Sequence, residues 1–253
     1  MKIKFPSMRS GIVAAFSGML ILGVTACNKN DSNDNNIDIP VAGLMAFNLA
    51  PDVPTAGIAL SGRNATSALP FGSFTGGYLA VYTGDRPVES FNSASGARLA
   101  SGTYNFADSA YYSLFVVGTN NNYRNVIVND NVDALPATGQ AYVRYINAIP
   151  DSTRPTVTVA AGGTNVVNES AAFAAVSEFK AIAAGDVAIG VSNGGTISLT
   201  RTVSFEANKI YTVLLSGQPG ATGESALAIK FVSNGTIDAS TGRSSGGSAR
   251  STQ

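Results

Sequence analysis

Ala46-Phe47-Asn48-Leu49-Ala50-Pro51-Asp52 and Tyr145-Ile146-Asn147-Ala148-Ile149-Pro150-Asp151 are one phrase written twice, its Asn, Pro and Asp recurring 99 residues apart. Each copy is an apolar run of strand character that stops at a Pro-Asp turn. Two further blocks repeat at nearly the same distance. Phe71, Phe74, Tyr78, Gly84 and Asp85 correspond to Phe173, Val176, Phe179, Gly185 and Asp186 at 101 to 102 residues. Tyr112-Ser113-Leu114-Phe115-Val116-Val117-Gly118 corresponds to Tyr211-Thr212-Val213-Leu214-Leu215-Ser216-Gly217 at 99. Three blocks in order at one spacing identify an internal duplication.

The second copy is the easier to read. Strand candidates run over residues 142–149, 156–159, 173–182, 187–192, 196–205, 210–216 and 226–232. Seven short strands in about 95 residues, with turn residues between them, predict an all-β, immunoglobulin-like sandwich whose strand order the sequence leaves open. In the first copy residues 44–49, 57–60, 74–82 and 111–117 correspond, while residues 86–109, rich in Ser, Gly and Asn, resist assignment. The expected organisation is therefore two tandem sandwiches, 41–135 and 136–238, joined by the short connector 133–139. A copy of about 95 residues buries roughly 65% of its unfolded surface, so each can fold alone, and a shared interface would add to that. Residues 239–253 contain nothing apolar larger than alanine and are expected to form a disordered tail.

Ahead of the copies lies a different kind of sequence. Lys2, Lys4 and Arg9 precede the apolar run at residues 11–24, and small residues lead to Cys27, the only cysteine. This is the pattern of a secretory signal over residues 1–26. As a helix, residues 11–26 would rise about 24 Å against a hydrocarbon core of about 30 Å, short for a span. Residues 27–40 begin Cys-Asn-Lys-Asn-Asp-Ser-Asn-Asp-Asn-Asn, too polar to pack, and read as a flexible tether.

Removing the signal takes three of the sixteen basic residues and none of the sixteen acidic ones, a net charge of about −3. A chain with no basic surplus has little to neutralise phosphates, which disfavours nucleic acid as a partner. Histidine and tryptophan are absent. Without histidine, hydrolases built on a Ser-His or Cys-His pair or on zinc-histidine chemistry are excluded. Two carboxylates could hydrolyse a glycosidic bond without it, but most of the acids lie in the tether or in turn-like contexts. Asp52 and Asp85 could contribute to a calcium site, yet no Asp-x-Asp-x-Asp-Gly run supplies the remaining oxygens. No catalytic residue, metal or cofactor is expected. Aromatic residues beside Gly- and Asn-rich segments are the better candidates for ligand contact: Tyr82, Tyr123 and the neighbouring Arg124, with Tyr111 as a further one.

Val24-Thr25-Ala26-Cys27 resembles the lipobox of bacterial lipoproteins, and the asparagine-rich tether resembles those of Bacteroidetes lipoproteins. The resemblance implies that Cys27 is lipidated and that the protein sits on the envelope, on the outer membrane at its periplasmic or surface face. Ala141-Tyr142-Val143-Arg144-Tyr145-Ile146-Asn147-Ala148-Ile149-Pro150-Asp151 resembles the opening strand of the DUF 4397 family, and Phe173, Gly185 and residues 209–215 sit where that family keeps its later motifs. The family has no assigned activity, so the resemblance implies an extracytoplasmic β-domain and no chemistry. The expected function is a non-enzymatic binding or structural module of the envelope. Its partners are the membrane, through the anchor, and envelope proteins or glycans. A glycan-binding accessory lipoprotein of a polysaccharide-uptake system is the sharper alternative.

Two or three acyl chains at ~0.8 kcal/mol per buried CH₂ hold a protein on its membrane, where one chain alone is marginal. The mature polypeptide is accordingly expected to begin at an acylated Cys27 and to partition into detergent, as read by mass spectrometry of its N-terminal peptide. A water-soluble product with a free thiol at Cys27 would remove the anchor.

Overall fold

The computed structural model describes residues 39–151, 153–238 and 243–245. The signal, Cys27 and nearly all of the tether lie outside them. The described residues from Pro40 onward form one compact unit. Among the described residues no helix is long and apolar enough to cross a membrane.

The first copy contains eight strands, β1 (Val41–Asn48), β2 (Thr55–Leu60), β3 (Arg63–Pro70), β4 (Leu79–Tyr82), β5 (Gly84–Asn92), β6 (Arg98–Phe106), β7 (Tyr111–Thr119) and β8 (Asn122–Asn129). They form two sheets, in the orders β4-β1-β7-β8 and β3-β2-β5-β6. A 3₁₀ turn at Val132–Ala134 leads to the second copy: β9 (Ala141–Asn147), β10 (Thr156–Ala161), β11 (Thr164–Ser170), β12 (Lys180–Ile182), β13 (Gly185–Ser192), β14 (Ser198–Phe205), β15 (Lys209–Ser216), β16 (Ala228–Asp238) and β17 (Arg243–Ser245). Its sheets are β12-β9-β15-β16-β17 and β11-β10-β13-β14. The all-β, tandem-sandwich expectation therefore holds, and the strand order that the sequence left open is the same in both copies apart from β17, which only the second copy adds.

Several details differ from the sequence reading. In the first copy residues 63–70 and 122–129, not expected as strands, form the edge strands β3 and β8, and of residues 74–82 only Leu79–Tyr82 form a strand, with a lone bridge between Phe74 and Phe47. Residues 164–170, not expected as a strand, form β11, an edge strand whose only fully buried side chain is Val167. A strand with solvent on most sides needs no apolar alternation. Residues 173–182, expected as one long strand, pair only at Lys180–Ile182 and at a lone bridge between Val176 and Ile146. Their apolar residues pack between sheets, which requires burial but not a ladder. Finally, the tail is not wholly free: Arg243–Ser245 pairs antiparallel with Thr236–Asp238. Backbone groups at the open edge of β16 bond a neighbouring strand whatever its side chains.

The recurring asparagine has a common task. Asn48 is fully buried, and its Nδ2 donates to the carbonyls of Val53 (2.9 Å) and Leu69 (3.0 Å) while its Oδ1 accepts from Ala50 N. Asn147, also fully buried, donates to Ala171 O (3.0 Å) and Ala172 O (3.2 Å) and accepts from Ile149 N. Each amide thus satisfies backbone groups that the Pro turn leaves without ladder partners. The recurring tyrosine does likewise, since Tyr112 OH accepts from Ala107 N and Tyr211 OH from Glu206 N, both at 3.0 Å.

Strand periodicity distributes three cores. In β1 and β7 one set of alternate residues, including Leu44, Ala46, Leu114 and Val116, faces β2, β3, β5 and β6 within the first sandwich. Val143, Tyr145, Val213 and Leu215 do the same in the second. The other set, Met45, Phe47, Phe115 and Val117, meets Ile146, Ala148, Leu214 and Val232 in a core shared by the two copies. The layers are sheet, sheet, sheet, sheet, and the middle two are buried on both faces. That suits the pairings β1 with β7 and β9 with β15, which are parallel, because parallel strands are favoured where both faces are covered.

Inside the shared layer lies a polar cluster. Arg144 Nη2 is 2.7 Å from Asp130 Oδ1 and donates to Ser113 Oγ at 2.7 Å, while Nε donates to Thr212 Oγ1 at 3.0 Å. Tyr78 OH and Ser113 Oγ donate to Asp130 Oδ2, and Asn234 bridges Thr212 to Tyr78. Burial first, and the Asp130 carboxylate second, hold the Tyr78 hydroxyl protonated far above the ordinary tyrosine range. Arg144 also lies over the Phe179 ring at 4.4 Å.

Removing one partner of such a pair strands the other as a buried charge, at a cost of about 3–5 kcal/mol. Arg144→Met is expected to lower the unfolding free energy by about that much. Arg144→Met with Asp130→Asn should cost clearly less than the sum of the two single changes. Urea denaturation of the four proteins measures the coupling, and strictly additive losses would show that the pair does not act as a unit.

Candidate ligand-binding groove

The sequence candidates do not converge. Tyr123 and Arg124 open β8 beside the hairpin turn at Asn120-Asn121, whose left-handed φ values of 53° and 62° suit a two-residue turn. Tyr82 lies on the opposite edge strand of the same sheet and pairs with Val41 at the far end of β1. The side chains at β8 are also engaged. Tyr123 OH donates to Asp52 Oδ2 at 2.9 Å, Asn120 N donates to the same oxygen at 2.8 Å, and the Tyr123 ring packs on the first core. Arg124 lies 5.0 Å over Phe173 of the second copy. Tyr111 packs edge-on to Tyr78 at 4.9 Å and is half-buried. These residues fix the hairpin and the contact between copies. The sequence shows them beside Asn and Gly, but it cannot show that Asp52, 71 residues away, takes the hydroxyl.

Asp52 therefore holds a neighbouring hairpin, whereas Asp151 caps its own turn by accepting from Thr153 N at 2.7 Å. Asp85 accepts from Asn105 Nδ2 at 2.8 Å on β6. Among the described residues no three His, Cys, Asp or Glu side chains gather as a metal site would require. The tail spells Gly242-Arg243-Ser244-Ser245-Gly246, the letters of a hydrolase nucleophile turn. Arg243–Ser245 is an edge strand, however, and that turn joins a strand to a helix.

Tyr82 remains. It is 60% exposed and lines a groove of about 460 Å³ with Leu60, Arg63, Ala80 and Arg86. The groove lies where β3 and β4, the edge strands of the two sheets in the first sandwich, face each other. Arg86 enters from β5. Its Nε and Nη2 donate to Thr83 O at 3.0 and 2.8 Å, and its guanidinium carbon is 5.8 Å from the centre of the Tyr82 ring. Aromatic face and cation are thereby held together.

The second copy shows what makes the groove. Gly84 and Gly185 pair with Phe106 and Phe205 at the start of β5 and β13, so Arg86 corresponds to Val187. Val187 is fully buried in the second core. Tyr82 corresponds to Ala183, because Val81 and Ile182 pair with the equivalent Ala42 and Ala141. The hairpins differ in register: β2 and β10 both have six residues, but β2 ends with Leu60 opposite Val88, whereas β10 ends with Ala161 opposite Val187. The first hairpin is therefore set back by two residues along β5, and the guanidinium is left half-exposed.

Tyr123→Phe removes a hydroxyl bond to a carboxylate and leaves the ring in place. The expected loss is about 1 kcal/mol of stability by chemical denaturation, with no effect on any ligand that binds at Tyr82. A ligand affinity that falls with this change would place the binding surface at β8.

Residues 42–153 and 141–243 each match the domain of unknown function DUF4397. The two matches meet at β9, the strand that opens the second sandwich. No curated protein shows significant similarity to the chain. With four-fifths of its length covered by two tandem matches whose strand orders coincide, the chain belongs to the DUF4397 family.

Proposed function

We propose that this chain is a non-enzymatic binding module, held on the cell envelope by a lipid at Cys27, and that it takes a carbohydrate chain in the groove at Tyr82. The observation that carries the reading is the exposed Tyr82 ring, 60% open to solvent, at the edge of a groove in an otherwise well-packed sandwich. A planar aromatic face with a polar tip suits the apolar face of a sugar ring, and neighbouring Asn64 and Ser61 can serve its hydroxyls. Support for a non-enzymatic role comes from the chemistry of the chain. It has no histidine, and its most buried acid, Asp130, is engaged by Arg144, Tyr78 and Ser113. The lipobox-like Val24-Thr25-Ala26-Cys27 and the polar tether support the envelope anchor.

The test is a glycan array probed with the mature chain carrying Cys27→Ser. Binding to at least one polysaccharide class is expected, weakened at least about 10-fold by Tyr82→Ala, which is about 1.4 kcal/mol. The melting temperature should not change, since the ring is mostly exposed. No binding to any glycan would leave the chain a spacer, and turnover of a bound glycan would overturn the non-enzymatic reading.

A further inference from the structure

We infer that the groove selects acidic saccharides, with a sugar ring on Tyr82 and its carboxylate on Arg63 and Arg86. The inference rests on the carbohydrate reading above and adds the charge of the ligand to it. Three observations carry it. First, the groove lining contains two arginines and no acid. The acid adjacent in sequence, Asp85, is turned to β6, where Asn105 holds it. Second, Arg86 replaces an apolar core position. At the corresponding place the second copy buries Val187, and burying a guanidinium there would carry a large desolvation cost. In the first copy the hairpin, set back by two residues along β5, leaves Arg86 half-exposed to the groove. Third, Arg86 is already positioned. Two of its nitrogens are fixed on Thr83 O, and Nη1 has no partner among the described residues. A guanidinium held in one orientation loses little freedom on meeting a carboxylate, and the resulting bonds are charge-assisted.

Arg63 completes the arrangement. It is the first residue of β3 and is exposed, and no bond ties its side chain among the described residues. The second copy has Thr164 at the start of its return strand and Ala183 in place of Tyr82. All three recognition side chains thus occur in one copy only. The same copy sets its hairpin back by two residues along β5 and carries the exposed aromatic ring.

The experiment uses the mature chain with Cys27→Ser and titrates polygalacturonate, alginate and hyaluronate, each against its carboxyl-reduced form. The sugar rings are then matched and only the charge differs. At least one acidic form is expected to bind about 10-fold more tightly than its neutral counterpart, and the difference should shrink at high ionic strength. Arg63→Gln, a change at an exposed side chain, should erase most of the preference without shifting the melting temperature. Arg86→Gln should do so too, while Arg86→Lys should restore part of it. Equal affinity for acidic and reduced forms, weakened in both by Tyr82→Ala, would overturn the acidic selectivity and leave the carbohydrate groove standing. A preference for the acid that survives both Arg63→Gln and Arg86→Gln would place the charge recognition elsewhere and also overturn the inference. Absence of binding by all six polysaccharides, with glycan-array binding retained, would overturn it, and absence on the array as well would remove both readings.

Discussion

Double-sided burial of the two middle sheets is the constraint on which the rest of this structure depends. A sheet with one wet face can use polar residues at every second position. Here β1, β7, β9 and β15 bury nearly every side chain, so both alternating sets must be apolar or fully hydrogen-bonded. One set belongs to the sandwich in which the strand lies, and the other belongs to the layer between copies. Truncating a side chain of that layer, such as Phe47, would cost about 3–5 kcal/mol, as in any core. The duplication is therefore one folded unit made of two similar halves.

Within that shared layer the Arg144–Asp130 pair supplies direction where apolar contacts supply none. Met45 stands in the first copy where Arg144 stands in the second, and Ser113 stands where Thr212 does. One guanidinium bonds both hydroxyls and the carboxylate. Two greasy sheet faces could slide on one another by a strand spacing at little cost. A buried charge that finds all its partners in only one arrangement resists such sliding, because each lost partner leaves a charge without water.

The groove shows what duplication permits. One copy has an apolar residue at Val187 with its hairpin reaching over it. The other has Arg86 there, a hairpin set back by two residues and Tyr82 on the adjoining edge strand. These changes fall at the outer end of a sandwich, away from the shared core, so they leave the common architecture intact. Arg63 and Tyr82 lie on the edge strands β3 and β4, where side chains support no further strand, and Arg86 lies near the start of β5 beside them.

Much of this was legible in residue order. The repeated Asn-x-x-Pro-Asp phrase and the repeated tyrosine strand fixed the number of copies and their β character, because backbone geometry ties alternation and turn residues to local structure. The strands that escaped notice, β3, β8, β11 and most of β5 and β6, have wet outer faces or edges and so carry a weak apolar signal. Residues 173–182 misled in the opposite sense, since burial between sheets selects the same residues as a strand does. Of the ligand candidates, the sequence does not separate Tyr82, which is exposed, from Tyr123 and Arg124, which are engaged in the fold. Whether a tyrosine is free depends on a partner such as Asp52 far along the chain. Arg63 and Arg86 were not singled out at all. An arginine in a β-strand says little as a letter, and its setting becomes visible only when the tertiary fold shows a buried valine in its place in the other copy and a hairpin set back by two residues beside it. Local chemistry determined the elements and their repetition. Packing across distant strands alone decided which faces are buried, which charges are paired and which ring is left open.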